Sequence, residues 1–319
     1  MRTGELNVVM RAIQGMSWSQ RRALIQRLQS VQAGDEARAM VEDRLLALRA
    51  CPHSHDPHVV RNGTARGLQR YRCRGCGTTF KALTRTPLAR LRYRERWLDH
   101  SQALIDGLSI TKAALRLEVA RSTAFRWRHR FLALPHQVMA GQFDGSVEAD
   151  ETCFLKSCKG QRARRRKADR SARSRGGRAT QRGMSNEQDI VLVVRDRSGA
   201  CADQIVQALD TAHLGAVLQP LLAADAVLCT DGSNALAAAA HYIGVEHHAI
   251  NASAGQHAIG PWHFNNVNGY HSRLKNWMRR FNGVASSYLH RYLGWFRALD
   301  RFRITGLTPS ALLALALGV

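Results

Sequence analysis

Three groups of residues in this 319-residue chain have the types and spacing to do chemistry. Cys73-Arg74-Gly75-Cys76 is a Cys-x-x-Cys knuckle, and Cys51-Pro52 lies upstream of it across a loop holding Gly63 and Gly67. Zn2+ takes four tetrahedral ligands, and two knuckles at the ends of a β-hairpin supply them at low conformational cost. The first knuckle is defective, because Ser54 stands where a second thiolate would fall. His53 and His55 flank that serine, and either imidazole can complete a three-cysteine, one-histidine set. His55 is preferred, since Cys-x-x-x-His leaves the chain more slack to turn back on the metal. The competing reading is a hairpin that holds no metal, but a segment this small and polar cannot bury a core of its own. No βαβ context surrounds the knuckle, which argues against a redox pair.

The second group is acidic. Asp150 sits inside a strand-like run, Val147 to Phe154, and Asp231 ends another, Val227 to Gly232. A carboxylate in one strand and a second at the end of its neighbour can hold the same Mg2+ (or Mn2+), a hard cation that wants carboxylate, water and phosphate oxygens. Two such ions about 4 Å apart activate a nucleophile and stabilise the leaving oxygen in phosphoryl transfer. Taken singly, each aspartate is an ordinary surface acid at a strand end.

The third group is basic. Ser109 to Leu132 reads as a helix-turn-helix: Ala113 and Ala114 allow close approach, Glu118-Val119-Ala120 makes the turn, and Arg121-Ser122-Thr123 opens a second helix. A serine or threonine there would cap that helix, whose first turn would enter a DNA major groove. Arg126 and Arg128 on the same helix can clamp phosphates or pair with guanine. The alternative is a small helical bundle with a solvated basic face. Between Lys156 and Arg182 lie 12 Lys or Arg, among them Arg164, Arg165, Arg166 and Lys167, and one acid, Asp169. With no apolar period, that run is expected to stay extended and grip backbone phosphates.

The remaining elements must position these groups. Val8, Val9, Ile13 and Met16, then Leu24, Ile25, Leu28 and Val31, recur at helical steps, and Ser17 three before Gln20 is a capping box. Strand-like Ile190 to Arg195, Ala226 to Cys229 and Val245 to Ile250 alternate with helical Leu214 to Ala223 and Ala235 to Tyr242, and a helical tail follows Asn265. That order predicts a mixed α/β domain behind a helical and ribbon head. The chain carries 47 Lys+Arg against 24 Asp+Glu, a net charge of +23, so a polyanion is the expected partner and nucleic acid the first candidate. The longest apolar run, Ala311 to Val319, is less than half the roughly 20 residues of a membrane span. With no apolar leader either, a cytoplasmic protein with no membrane contact is expected.

Several strings resemble a known family. Cys51-Pro52-His53, Gln69 through Phe80 and Leu83-Thr84-Arg85-Thr86-Pro87-Leu88 look like the N-terminal ribbon of a branch of bacterial insertion-sequence transposases. Thr123 through Leu132 is similar to their helix-turn-helix. Ala149-Asp150-Glu151-Thr152, Asn266-Val267-Asn268-x-x-His271-Ser272-Arg273-Leu274-Lys275 and the stretch from Phe281 to Trp295 match their catalytic motifs. The resemblance runs from about residue 15 to 300.

It implies an RNase H-like core with a D-D-E triad in which asparagine replaces the glutamate. Asp150 and Asp231 are then the first two members, Asn268 the third metal ligand and Lys275 the trailing lysine, with Arg273 on DNA. Asn268 and Lys275 are seven apart, so they share a helix face. The implied organisation is an N-terminal helical segment (1–48), a zinc ribbon (49–85), a helix-turn-helix (90–135), a core (145–305) with its basic insertion (156–186), and a C-terminal helix (306–319). The implied activity is DNA cleavage and strand transfer at terminal inverted repeats, by a homodimer or higher oligomer on duplex DNA in a bacterial, nucleoid-associated setting. A DNA-binding regulator without catalysis and a nuclease that cuts without joining are the alternatives. The sequence departs from the family pattern at Ser54 and after Asp231, where Gly232-Ser233-Asn234-Ala235 lacks an expected aromatic.

Overall fold

A computed structural model describes residues 3–48, 50–135, 139–160, 179–180, 185–251, 255 and 258–318. The chain divides into two compact units, one of residues 1–131 with 308–319, the other of residues 132–307. The C-terminal helix therefore belongs to the N-terminal unit.

That first unit begins with α1 (Thr3–Gln14) and α2 (Trp18–Leu48). The capping box forms as read: the Ser17 amide donates to Gln20 Oε1 at 2.8 Å, and the Gln20 amide to Ser17 Oγ at 3.3 Å. Only the second half of α2 is buried, through Ala37, Val41 and Leu45. There Arg44 donates to the carbonyls of Leu317 (2.8 Å) and Ala82 (2.9 Å), which ties α2 to the C-terminal helix and to the chain after the ribbon. The ribbon is an antiparallel sheet of β1 (Val59–Ala65), β2 (Leu68–Cys73) and the short β3 (Thr79–Phe80). Three helices follow: α3 (Trp97–Ile105), α4 (Ile110–Arg116) and α5 (Arg121–Phe131). Trp97, Leu104, Trp127 and Phe131 are buried in this unit, as are Leu312, Leu313 and Leu317 of the last helix (Pro309–Leu317).

The second unit is built on a five-stranded mixed sheet. Its strands are β4 (Ser146–Leu155), β5 (Gln188–Asp196), β6 (Cys201–Val206), β7 (Val227–Thr230) and β8 (Glu246–Ala249), in the order β6-β5-β4-β7-β8. β5 runs antiparallel to β4 and β6, while β7 and β8 run parallel to β4. Strand alternation sorts the residues of β4 to opposite faces. Val147 and Ala149 join Leu192, Val194 and Ala202 in a core that also holds Leu214 and Leu218 of α6 (Thr211–Leu218) and Leu236 and Ala239 of α7 (Asn234–Ile243). The other face carries Glu148, Asp150 and Thr152, and against it lies α8 (Asn265–Arg279). α9 (Ser286–Arg301) packs on α8 through rings, with Trp277 and Trp295 edge to face at 4.8 Å and Tyr270 against Phe296 at 5.1 Å.

Buried polar bonds fix that second layer. Tyr270 Oη donates to Asp203 Oδ2 at 2.7 Å, and Arg297 pairs with the other oxygen of Asp203. Arg195 of β5 meets the buried Asp300 at 2.7 Å. Arg273, expected on DNA, instead donates to the same Asp300 through Nε (2.8 Å) and Nη2 (3.1 Å). It is a helix-to-helix brace that shares Asp300 with Arg195, which corrects the DNA-facing reading.

Candidate functional site

Carboxylates and helix α8 make the first site. The β4–β7 register pairs Ser146 with Val227, Val147 with Leu228 and Glu148 with Cys229. Two residues beyond the last pair, in the same register, stand Asp150 and Asp231. Asp150 lies within β4 and is largely covered, whereas Asp231 is exposed and turns the chain toward α7, its Oδ1 accepting the Ser233 amide at 3.0 Å. Both aspartates are close enough to Glu151 to raise its pKa.

Glu148, two residues before Asp150, is fully buried. Its Oε2 accepts the Val267 amide at 2.9 Å and its Oε1 the Asn266 side-chain amide at 2.8 Å. His263 Nδ1 stands 3.1 Å away and Arg197 Nε 3.7 Å away. A carboxylate from the strand thus satisfies the Val267 amide in the first turn of α8, while His263 Nδ1 accepts the Asn265 amide at 3.4 Å. Further along, His271 Nδ1 lies 3.4 Å from Asp150 Oδ2. Burial raises the Cys153 thiol of β4, and Lys275, one turn after His271, is close enough to offset part of that rise. Glu148 with Val267, Asp150 with His271 and Cys153 with Lys275 mean that strand and helix advance together. Asn268 is exposed and shares the helix side of His271 and Lys275, at three- and seven-residue steps.

Negative charge concentrates here. Burial, then Asp150 and Asp231, push the Glu151 carboxyl up to about 7. Glu151 feels both aspartates, but strand alternation turns it to the opposite face of β4 from Asp150, so the pair Asp150 and Asp231 is what a divalent cation would use. Glu148, Glu151 and Arg197 were not read from the sequence as site residues. Strand alternation places Glu148 on the same face as Asp150 and could have flagged it.

The cysteines make the second site. Among the described residues, Cys51, Cys73 and Cys76 are the one group of three or more His, Cys, Asp or Glu side chains whose ligand atoms converge. Cys51 Sγ and Cys76 Sγ are 3.8 Å apart. A tetrahedral zinc with bonds of about 2.3 Å spaces its sulfurs by roughly 3.8 Å, so the trio fits that ion. His55 is not in the cluster. Its exposed residue takes a left-handed backbone (φ 59), its amide donating to the Cys51 carbonyl at 2.8 Å, and the fourth corner holds Ser54, whose Oγ is 3.4 Å from Cys73 Sγ. The preference for His55 is corrected by this turn, which spends the slack expected to bring the imidazole back. Hydrogen bonds from Thr78, then Ser54, hold the Cys76 thiol down at about 6, a pKa that favours the metal-binding thiolate.

In the helix pair α4–α5, Ser109 caps α4 by accepting the Lys112 amide at 3.3 Å. α5 starts at Arg121, so Ser122 and Thr123 lie in its first turn rather than at its cap. Arg121, Ser122 and Arg126 are exposed and Thr123 half-buried. Arg128 corrects the reading: it is 1% exposed and donates to the Leu108 carbonyl, so it belongs to the core of the helix pair and not to its surface. Arg164, Arg165, Arg166 and Lys167 lie outside the described residues. Among the described residues, no helix is long and apolar enough to cross a membrane.

Residues 142–297, all within the second unit, match the ISXO2-like transposase domain. A protein of Halobacterium salinarum, described as an uncharacterized protein in transposable element ISH50, is 26% identical over 256 residues, covering 77% of this chain and 83% of its own. Two solved structures, a pre-cleavage Mos1 transpososome and a Mos1 transposase paired-end complex with left transposon end, each align over 65% of this chain and 76% of theirs, with 13% identity and a TM-score of 0.21. Residues 142–297 of this chain are thus similar to the ISXO2-like transposase domain.

Proposed function

We propose that this protein is a DNA transposase that cleaves and joins DNA at the terminal inverted repeats of an insertion sequence. The observation that supports the reading is the parallel β4–β7 register, with Asp150 and Asp231 each two residues past its last pair and His271 of α8 3.4 Å from Asp150. The sheet order, with its second strand antiparallel, supports an RNase H-like core. Asp150, Asp231 and Asn268 would hold Mg2+ or Mn2+, which supplies nucleophile activation and charge stabilisation at phosphorus. Asn268 adds a carbonyl ligand without charge, and Lys275 offers an ammonium to a DNA phosphate.

In the first step water attacks the phosphodiester, which leaves a 3′-hydroxyl on one fragment and a 5′-phosphate on the other. In the second, that 3′-hydroxyl attacks a target phosphodiester, forming a new 3′–5′ bond and releasing a target 3′-hydroxyl. The ribbon would hold Zn2+ through Cys51, Cys73 and Cys76. Arg121, Ser122, Thr123 and Arg126 would face the DNA, with Arg164 to Lys167 on its backbone. Joining two ends calls for a dimer or larger assembly on duplex DNA, in the bacterial cytoplasm.

The test is incubation with Mg2+ and duplex carrying the element's ends, scored for cleaved and joined products, with Asp150→Ala alongside. Wild type should give both products and the variant neither. Equal products from the two proteins would place the chemistry elsewhere. Cleavage without joining would identify a nuclease, and binding without either a regulator.

A further inference from the structure

A cavity of about 580 Å3 opens in the N-terminal unit, between β2, β3 and the chain from Lys81 to Arg94. Leu68, Phe80, Leu83 and Leu91 form its apolar wall, and around them stand six arginines and Lys81, with no acid among the lining residues. Lys81 Nζ donates to the Ala65 carbonyl at 2.9 Å, and Arg130 reaches in from α5 to the Ala89 carbonyl at 3.0 Å. Burial, then Arg66, Arg94 and Arg70, lower the Lys81 pKa, so these cations are close enough to repel one another. Glu42 and Glu95 act on Arg94, but neither lines the cavity.

The backbone supplies a second observation. Arg66 (φ 57), Arg85 (φ 62) and Arg90 (φ 65) all adopt the left-handed conformation that favours glycine, and all three line this cavity. Arg66 shares the two-residue turn between β1 and β2 with Gly67 (φ 72), where glycine, asparagine or aspartate is the usual occupant. Arg85 and Arg90 sit in the run of turns that follows β3. Three strained arginines converging on one acid-free cavity mark a place where the side chain outweighs backbone comfort.

We propose that this cavity is a binding site for paired phosphate groups, as carried by a nucleic-acid backbone or by free diphosphate. Guanidinium forks match phosphate oxygens two at a time, and several converging cations suit more than one phosphate. The site lies within the first unit, and none of its tests requires cleavage or joining.

Glycine at positions 85 and 90 removes the charge while easing the backbone, so Arg85→Gly/Arg90→Gly should fold at least as well as wild type. The full-length protein is titrated with a fluorescent DNA duplex across salt concentrations, and separately with pyrophosphate by calorimetry at constant ionic strength. The control removes the same charge from exposed helix, as Arg21→Ala/Arg22→Ala. If the phosphates are those of DNA, the glycine pair weakens duplex binding about tenfold and shallows the salt slope by roughly 0.9 per lost phosphate contact, with less than a twofold change in the control. If they are those of free diphosphate, pyrophosphate binds wild type saturably and the glycine pair abolishes that binding, with duplex affinity unchanged. Either result supports the site. Equal losses in the glycine pair and the control, or no loss of either ligand in a folded glycine pair, would overturn it.

Discussion

Glu148 Oε2 on β4 accepts the Val267 amide of α8 at 2.9 Å from a fully buried position. This bond, with the one from the Asn266 side chain, anchors the helix that carries Asn268, His271 and Lys275. Glu148→Ala would leave the Val267 amide and the Asn266 side-chain amide without their acceptor and remove the carboxylate beside Arg197 and His263. A loss of about 3 kcal/mol of stability is expected, read by urea denaturation. Glu148→Gln keeps one carbonyl acceptor for Val267 and should lose less. Hydrogen exchange at the start of α8 should accelerate in both variants, more in the alanine. Unchanged exchange would deny Glu148 its hold on the helix.

Ser54 occupies the corner of the cysteine cluster where a fourth thiolate would complete a tetrahedron. Ser54→Cys should therefore raise zinc affinity by at least tenfold in competition with a chromogenic chelator, since thiolate is a far better ligand than hydroxyl. His55→Ala should leave affinity within about twofold, because the turn after Cys51 keeps His55 out of the cluster. A large loss on His55→Ala would mean that the imidazole swings in when metal arrives.

Local pattern carried much of this structure. The Ser17–Gln20 box formed as read because it depends on four residues of one helix turn. Strands β4, β5 and β7 read as strand-like runs in the sequence. In β6, Asp203 and Gln204 interrupt the apolar character of the strand, yet Asp203 is buried, satisfied by Tyr270 and Arg297 from far along the chain. Partners of that kind leave no trace in spacing. The same holds for Arg128 and Arg273, which look like DNA-facing arginines in sequence and are held by Leu108 and Asp300 in the fold. Asp150 and Asp231 each lie two residues past the last β4–β7 pair, a sheet register that spacing alone does not specify.

Arg126 and Arg128 are two residues apart on α5, and the structure assigns them opposite consequences. Arg126 is exposed and Arg128 buried. Arg126→Ala should leave thermal stability nearly unchanged and weaken duplex binding. Arg128→Ala should cost about 2–4 kcal/mol of stability, through lost packing and an unfilled Leu108 carbonyl. Paired thermal melts and anisotropy titrations separate the two. An Arg128→Ala protein as stable as wild type would return that side chain to the surface.

His100 should make the N-terminal unit acid-sensitive. Its ring is fully buried edge-on to Trp127 (5.5 Å) and Phe131 (4.8 Å), and neither ring nitrogen has a hydrogen-bond partner among the described residues. Burial, then the Arg128 charge, hold its pKa down at about 3, against 6.5 for the free side chain. A base whose folded pKa is depressed takes up its proton in the unfolded chain first. The neutral ring therefore carries no penalty above pH 6.5, and stability falls as pH drops from 6.5 toward 3, by up to about 1.4 kcal/mol per pH unit. Acidic groups titrate across part of the same range, so the measurement is a difference: urea midpoints of wild type and His100→Leu from pH 7 to pH 4. Leucine cannot titrate and keeps similar volume, so its midpoint should fall less steeply on acidification. Parallel curves for the two proteins would show that acid enters the fold through some other group.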